Sequence, residues 1–473
     1  MNRPFATNLG DTGSKLVGRK VMKKPREAPR FTDVFQAVTG AGARDFGQLM
    51  QKVQPSPTVS GRYLHWDEIW YRQPPEDLSR EEWWFVLKLG RQALRQFVPL
   101  GDKNGLPFSY TLVEPIPQTL HEIDMRAGGH IQMPEQVTNP ETKDAYYVSS
   151  LIEEAITSSQ LEGATTTRPI AKDMLRTGRP PRNRSERMIL NNYLTMRRIG
   201  ALRDQRLSKE LICEIHRLVT DATLDEPTAA GRFRRGDEAV AVYDSANTLV
   251  HQPPSASELD ARMEKLYDFA NQKEPFVHPV IRSVILHFML GYEHPFVDGN
   301  GRTARALFYW AMLRHGYWLV EFISISQIVL RAPVQYFRSF LYTETDEGDL
   351  TYFVLYHLRI IMRALSGLHE YIARKTSEIR QFEAELRGVE SFNHRQRALV
   401  MHAVRHPGKR YTIEEHRRSH NVSYESARSD LLDLVERGLF LAAKEGKKLV
   451  FSPQSQLTGR LAALGARGST TLA

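Results

Sequence analysis

The sequence predicts a mainly α-helical fold: a helical bundle with a small β-hairpin, an N-terminal mixed segment and a C-terminal winged helix-turn-helix domain. Three observations predict it. From about residue 145 to 370 apolar residues recur three and four apart in one stretch after another, among them DAYYVSSLIEEAITSSQLEG, SERMILNNYLTMRRI, HPVIRSVILHFMLGYE and RTARALFYWAMLRHG. One stretch breaks that period: Val240, Val242 and Tyr243, then Asp-Ser-Ala-Asn, then Leu249 and Val250 read as a short hairpin. From about 390 to 453, RQRALVMHAVRH, TIEEHRRSHN and SYESARSDLLDLVERG read as three helices, and LFLAAKEGKKLVF as two strands around a Glu-Gly-Lys turn. That is the order of a winged helix.

The remaining segments follow in order. Residues 1–30 are basic and rich in Gly and Pro without the apolar block of a secretory signal, so a flexible tail is expected. Residues 31–140 mix aromatic-rich pieces such as EEWWFVLKLGRQALRQF with turns such as GDKNGLPFSY, a mixed segment packed on the main body. The helical core is expected over 141–375, the winged helix over 390–453 and a second flexible tail over 454–473. A chain of 473 residues exceeds what one core usually serves, hence more than one domain. Apolar residues at 41% and charged residues at 25% are those of an ordinary globular protein, and no apolar run suggests a membrane span. The net charge of +9 is spread along the chain, which by itself argues little for nucleic acid. The single cysteine, Cys213, sits on an apolar helical face, reads as a buried thiol and forms no internal disulfide; a reducing cytoplasm is its expected setting.

The chemistry concentrates in HPFVDGNGRTAR, residues 294 to 305. Pro295 stops the preceding helix, because proline lacks the amide hydrogen and disfavours a helical predecessor. Asp-Gly-Asn-Gly then leads into the N-terminus of the next helix, whose unpaired N–H groups and positive dipole end form an anion cradle. Gly299 and Gly301 permit close approach of an anion to the backbone. Arg302 and Arg305, three apart, are expected to reach the same side of that cradle, which suits a polyphosphate. Asp298 is placed to hold Mg²⁺ against phosphate oxygens. His294, with an ordinary pKa near 6.5, suits removal of a hydroxyl proton. Taken singly each residue is more often structural, a turn or a solvated face; together in twelve positions they argue for a site.

This stretch resembles the signature of the Fic (filamentation induced by cAMP) family, His-x-Phe-x-Asp/Glu-Gly-Asn-Gly-Arg-x-x-Arg, at every position. Flanking pieces over roughly 145 to 370 look similar too. The resemblance implies a Fic-type bundle acting as a protein adenylyltransferase, moving AMP from ATP to a target hydroxyl with release of pyrophosphate. It implies His294 as general base and Asp298 as ligand of Mg²⁺. Gly299, Asn300 and Gly301 would bind the α- and β-phosphates, Arg302 the β-phosphate and Arg305 the γ-phosphate, with Phe296 anchoring the loop. The hairpin at about 239–251 resembles the family's flap, which pairs with target backbone. Self-modification and a homodimer stay open.

A second element bears on the first. Leu151, Ile152, Ala155 and Ile156 mark a helix, and Gly163 suits its end. Glu162 then faces the negative end of the helix dipole and needs a cation, with Ser158 on the same face. SSQLEG resembles the family's inhibitory helix, expected here at about 148–163, which implies that Glu162 pairs with Arg305 and restrains the enzyme. Two alternatives remain: removal of AMP with Glu162 positioning water, and a DNA-binding regulator that senses nucleotide. In the presumed recognition helix Arg428 and Arg437 are offset by Glu425, Asp430, Asp433 and Glu436, while Lys444, Lys447 and Lys448 of the wing suit phosphate contact.

Overall fold

A computed structural model describes residues 5–8, 23–40, 46–128 apart from 76, 140–388 apart from 244–246, and 392–461 apart from 407, 446–447, 455–456 and 458. The chain divides into two compact units, one of residues 1–131 with 150–365, the other of residues 132–149 with 366–473. Its fold is mainly α. In chain order the first part carries strand β1 (Phe5–Asn8) and helices α1 (Phe31–Thr39), α2 (Phe46–Lys52), α3 (Trp66–Trp70) and α4 (Arg80–Gln92). Strands β2 (Arg95–Gly101) and β3 (Pro107–Thr111) follow, then α5 (Ile116–Ala127), α6 (Pro140–Leu161), α7 (Arg168–Thr177), α8 (Arg184–Leu202) and α9 (Lys209–Thr220). After strands β4 (Val240–Tyr243) and β5 (Leu249–His251) come α10 (Leu259–Asn271), α11 (Pro279–Glu293), α12 (Asn300–Arg314), α13 (Ile325–Arg331), α14 (Pro333–Glu344) and α15 (Thr351–Gly388).

Helices α11 and α12 occupy the centre of the first unit. Val280 to Leu290 are buried without a break, as are Arg302 to Leu313, because a helix that is apolar around most of its circumference has no face to give to water. Helices α8 and α9 pack on α12, and α10 on α11. The surrounding helices start where the sequence offers caps: Asn183 accepts from the Glu186 amide at 2.9 Å, and Ser208 from the Leu211 amide at 3.3 Å. Trp310 ties α12 to the end of α8 by donating Nε1–H to the Leu202 carbonyl at 3.0 Å.

The N-terminal mixed segment belongs to this same unit. Leu350 donates its amide to the Ser109 carbonyl of β3 at 2.7 Å, and the buried Lys88 ammonium reaches Asp346 Oδ1 at 2.7 Å. That pairing holds the Asp346 carboxyl well below the usual carboxylate range although burial alone would raise it. Of the flexible tail that composition suggests over 1–30, residues 5–8 and 23–30 are described and are placed against the fold. Residues 5–8 form β1, which pairs in parallel with β4, and Ala28 donates to the Thr345 carbonyl at 2.7 Å. Composition could not reveal this, because the partners are backbone groups more than two hundred residues away. Helix α6 starts earlier than the expected inhibitory helix, at Pro140.

The second unit contains α16 (His394–Arg405), β6 (Tyr411–Thr412), α17 (Ile413–His420), α18 (Tyr424–Glu436), β7 (Phe440–Glu445) and β8 (Lys448–Pro453). The strands form an antiparallel sheet in the order β6, β8, β7. Val400, Leu431, Leu434, Phe440 and Phe451 fill its core. Leu457 and Leu461 join that core, so the expected second flexible tail is packed at least that far; residues 462–473 and Lys447 lie outside the described residues. Among the described residues no helix is long and apolar enough to cross a membrane.

Candidate active site

Helix α11 ends at Glu293, and His294 turns the chain out of it with φ 47° and ψ 55°. Histidine tolerates this left-handed backbone better than branched residues do. Its Nδ1 lies 3.1 Å from the Gly291 carbonyl; since a carbonyl only accepts, Nδ1 carries the proton and Nε2 holds the free lone pair. Nε2 is buried and has no hydrogen-bond partner. Burial pulls this imidazole down to about 4, away from the ordinary value expected of it, so it is neutral at pH 7.

The loop that follows is braced from inside. Asn300 closes it on itself, accepting from the Phe296 amide at 3.0 Å and donating to the Phe296 carbonyl at 2.8 Å. Its side chain is therefore committed to the loop, which leaves the backbone N–H groups of α12 as the anion-facing donors. Phe296 is fully buried and stacks on the His216 ring with centroids 3.6 Å apart. His216 accepts from the Gly231 amide at Nδ1 and lies 2.9 Å from the Asp298 carbonyl through Nε2. Gly299 caps α12 at φ 81°, and a Cβ there would lie 2.6 Å from Thr220.

The two arginines do not converge as their spacing suggests. Arg302 donates Nη1–H to the Val219 carbonyl at 2.7 Å, in the last turn of α9, and lies 3.8 Å from Asp298. Arg305 turns to the last turn of α6: Nε donates to Ser158 Oγ at 2.8 Å, and Nη2 to the Ser158 carbonyl at 3.0 Å and to Glu162 Oε1 at 2.8 Å. A buried guanidinium must find acceptors, and the orphan carbonyls at two different helix ends supply them. The pair is thereby split. Burial lowers the Arg302 pKa; for Arg305 burial acts the same way, but Glu162 together with Tyr336 and Glu154 outweighs it and the net shift is upward.

Glu162 follows α6 and precedes Gly163, whose φ of 100° ends the helix. Its carboxylate lies against the start of α12 so closely that a Cβ on Gly301 would meet Oε1 at 2.1 Å. Glu162 thus occupies the ground in front of the α12 N-terminus, where an anion would approach. A cavity of about 110 Å³ is lined by His294, Asn300, Gly301, Arg305 and Glu162, with Val242 and His251 of the hairpin and Tyr336 of α14. Asp298 stands apart from this lining. Its Oδ1 accepts from the Gly299 amide at 2.6 Å, and its Oδ2 lies 3.7 Å from Arg184. One carboxylate whose side chain is 34% exposed fits a magnesium ion that arrives with phosphate and takes few protein ligands; among the described residues no cluster of three metal-ligating side chains exists.

Three residues escaped the sequence reading. His216 supports the loop, Arg234 donates Nε–H to the His294 carbonyl at 2.9 Å, and His251 bridges the Tyr292 carbonyl at 2.8 Å and Glu344 at 2.7 Å. Burial would lower the His251 pKa, but the Glu344 carboxylate and the Tyr292 carbonyl together outweigh it and the net shift is upward. The only sequence signal was the place of His216 on the apolar face shared by Ile212, Ile215 and Val219.

Residues 206–312 match the model of the Fic/DOC family. The match spans the hairpin and the whole loop. A protein adenylyltransferase Fic of Nematostella vectensis is 30% identical over 166 residues, 35% of this chain and 34% of its own. One of Drosophila willistoni is 32% identical over 163 residues, 33% and 31% respectively, and one of Aedes aegypti is 37% identical over 107 residues, 22% and 19%. The chain thus matches about a third or less of the length of these relatives. A solved Fic family protein from Desulfovibrio desulfuricans gives a TM-score of 0.49 at 18% identity over 73% of this chain and 98% of that one. Fic-1 from C. elegans gives 0.42 at 23% identity over 55% and 72%.

Proposed function

We propose that this protein is an adenylyltransferase that transfers AMP from ATP to a hydroxyl side chain of a protein and is held back by Glu162. One observation carries the reading: a buried, unpartnered His294 Nε2 shares a cavity with the α12 N-terminus and the Arg305–Glu162 pair. The lone pair at Nε2 accepts the proton of the incoming hydroxyl, whose oxygen then attacks the α-phosphorus as pyrophosphate leaves. Backbone N–H groups at Asn300 and Gly301 and the α12 dipole hold the phosphates. Arg302 and Arg305 serve the β- and γ-phosphates once freed from their helix-end carbonyls. Asp298 would hold Mg²⁺, which when bound neutralises phosphate charge. Phosphate charge brought next to His294 also favours its protonated form, offsetting the burial that holds the imidazole neutral.

Restraint by Glu162 has a steric and an electrostatic part. Sites for small ligands usually enclose about 300 to 1,000 Å³, and the cavity beside Glu162 is well below that. The same carboxylate engages the Arg305 guanidinium at 2.8 Å. The test is labelling of the full chain with Mg²⁺ and ATP carrying a labelled α-phosphate. Glu162→Gly is expected to raise incorporation at least about tenfold, the value of 1.4 kcal/mol of lost inhibition. No rise refutes restraint by Glu162. Loss of a wild-type ability to strip AMP from a modified protein, with no gain in labelling, favours AMP removal instead.

The second unit has the element order of a winged helix, and we assign it that role. Its basic residues are largely engaged: Arg428 lies 3.7 Å from Glu425, Arg437 2.8 Å from Asp433, and Arg417 and Arg418 share Glu414. Phosphate backbones bind cations that have no competing acid, so helices α17 and α18 support a protein-facing role over DNA, while the exposed Lys444 and Lys448 leave phosphate contact to the wing.

A further inference from the structure

The hairpin of β4 and β5 is not alone. Strand β1 pairs with β4 in parallel, with Phe5 opposite Val240, Ala6 opposite Ala241, Thr7 opposite Val242 and Asn8 opposite Tyr243. The sheet order β1, β4, β5 means that β4 is paired along both edges. An unpaired β4 edge would present a row of free backbone groups beside the cavity, a ready template for an incoming strand. Here the chain's own N-terminus takes that place. Val242, the register partner of Thr7, lines the His294 cavity. Thr7 is also the one residue of 5–8 that carries a hydroxyl.

We propose that residues 5–8 occupy in cis the edge where a target strand would pair, and that Thr7 is the chain's own acceptor of AMP. The acceptor assignment rests on the transferase reading; the docking does not. In the step itself Thr7 Oγ bonds to the α-phosphorus of ATP and the bond from that phosphorus to the bridging oxygen of the β-phosphate breaks. The hydroxyl proton passes to His294 Nε2, and pyrophosphate departs. A segment of the same chain competes at an effective concentration on the order of millimolar, so a separate target must displace it.

Two measurements on the full chain separate the parts. Ala6→Pro removes an amide hydrogen from strand β1, opposite Ala241. Hydrogen exchange of the Val240–Tyr243 amides is expected to quicken at least about tenfold in this variant and to slow again when a peptide of residues 1–12 is added. Unchanged exchange overturns the docking, whatever the activity. In the second measurement the Glu162→Gly protein is incubated with Mg-ATP and its modified peptides are mapped by mass spectrometry. AMP on Thr7, lost in the double variant with Ala6→Pro, supports the assignment. AMP only elsewhere overturns Thr7 as acceptor and leaves the transferase reading intact. No AMP on the chain overturns Thr7 as well, and if added proteins also stay unlabelled, the transferase reading fails with it.

Discussion

Arginines begin or line a helix in both units, yet the two sets have opposite fates. In the 294–305 loop, Arg302 and Arg305 have side chains exposed by only 1% and 3%, while Arg428 of α18 is 50% exposed. Both sets have an acid three or four residues away or across a helix end. Spacing is the same kind of signal in each. What differs is desolvation: the guanidiniums of the loop are buried and committed to named partners, whereas Arg428 of α18 stands half in solvent. A buried charge can be recruited by a ligand that outbids its present partner; a solvated one is already satisfied.

The largest effect that would break this contrast lies at His294. In the Glu162→Gly background, His294→Ala is expected to lower AMP transfer by about 10² to 10⁴, the usual contribution of a general base, with nucleotide binding retained in an equilibrium titration. Loss of less than tenfold would make His294 a structural residue like those of the second unit. Next comes Arg395, whose Nε donates to Asp430 Oδ2 at 2.7 Å in a half-buried cluster with Asn393 and His416. Arg395→Ala is expected to cost about 1 to 3 kcal/mol by urea unfolding of the second unit. Arg428→Ala, by contrast, should change stability by less than about 0.5 kcal/mol in the same assay, because exposed pairs contribute little. An equal cost at both positions would erase the distinction between buried and solvated charge.

Acidity gives a smaller but sharper reading. His294 and His216 are held neutral by burial, each drawn from 6.5 to about 4. In the unfolded chain they protonate near their ordinary values, so the unfolded state binds more protons between those limits, and stability falls as pH drops from 6.5 towards 4. For catalysis the acid limb of kcat/KM in the Glu162→Gly protein is expected near pH 4, with a flat profile down to about pH 5. A limb near 6.5 would mean that the imidazole is solvated in the nucleotide-free enzyme, whose ionisations kcat/KM reports.

The helical class and the hairpin are legible in the residues alone, as is the candidacy of His294, Asp298, Arg302, Arg305 and Glu162, because helical period, proline and glycine stops, and dipole chemistry are local properties. Tertiary structure alone decided that Arg302 and Arg305 part to different helix ends, that Asn300 spends its side chain on Phe296, that His216, Arg234 and His251 brace the site, and that residues 5–8 join the hairpin. Three of the four share one physical reason: each depends on an acceptor or donor supplied by backbone brought from elsewhere in the fold, which no spacing within a segment encodes. The Asn300–Phe296 pairing is local, and there burial decides, because a buried amide must find partners.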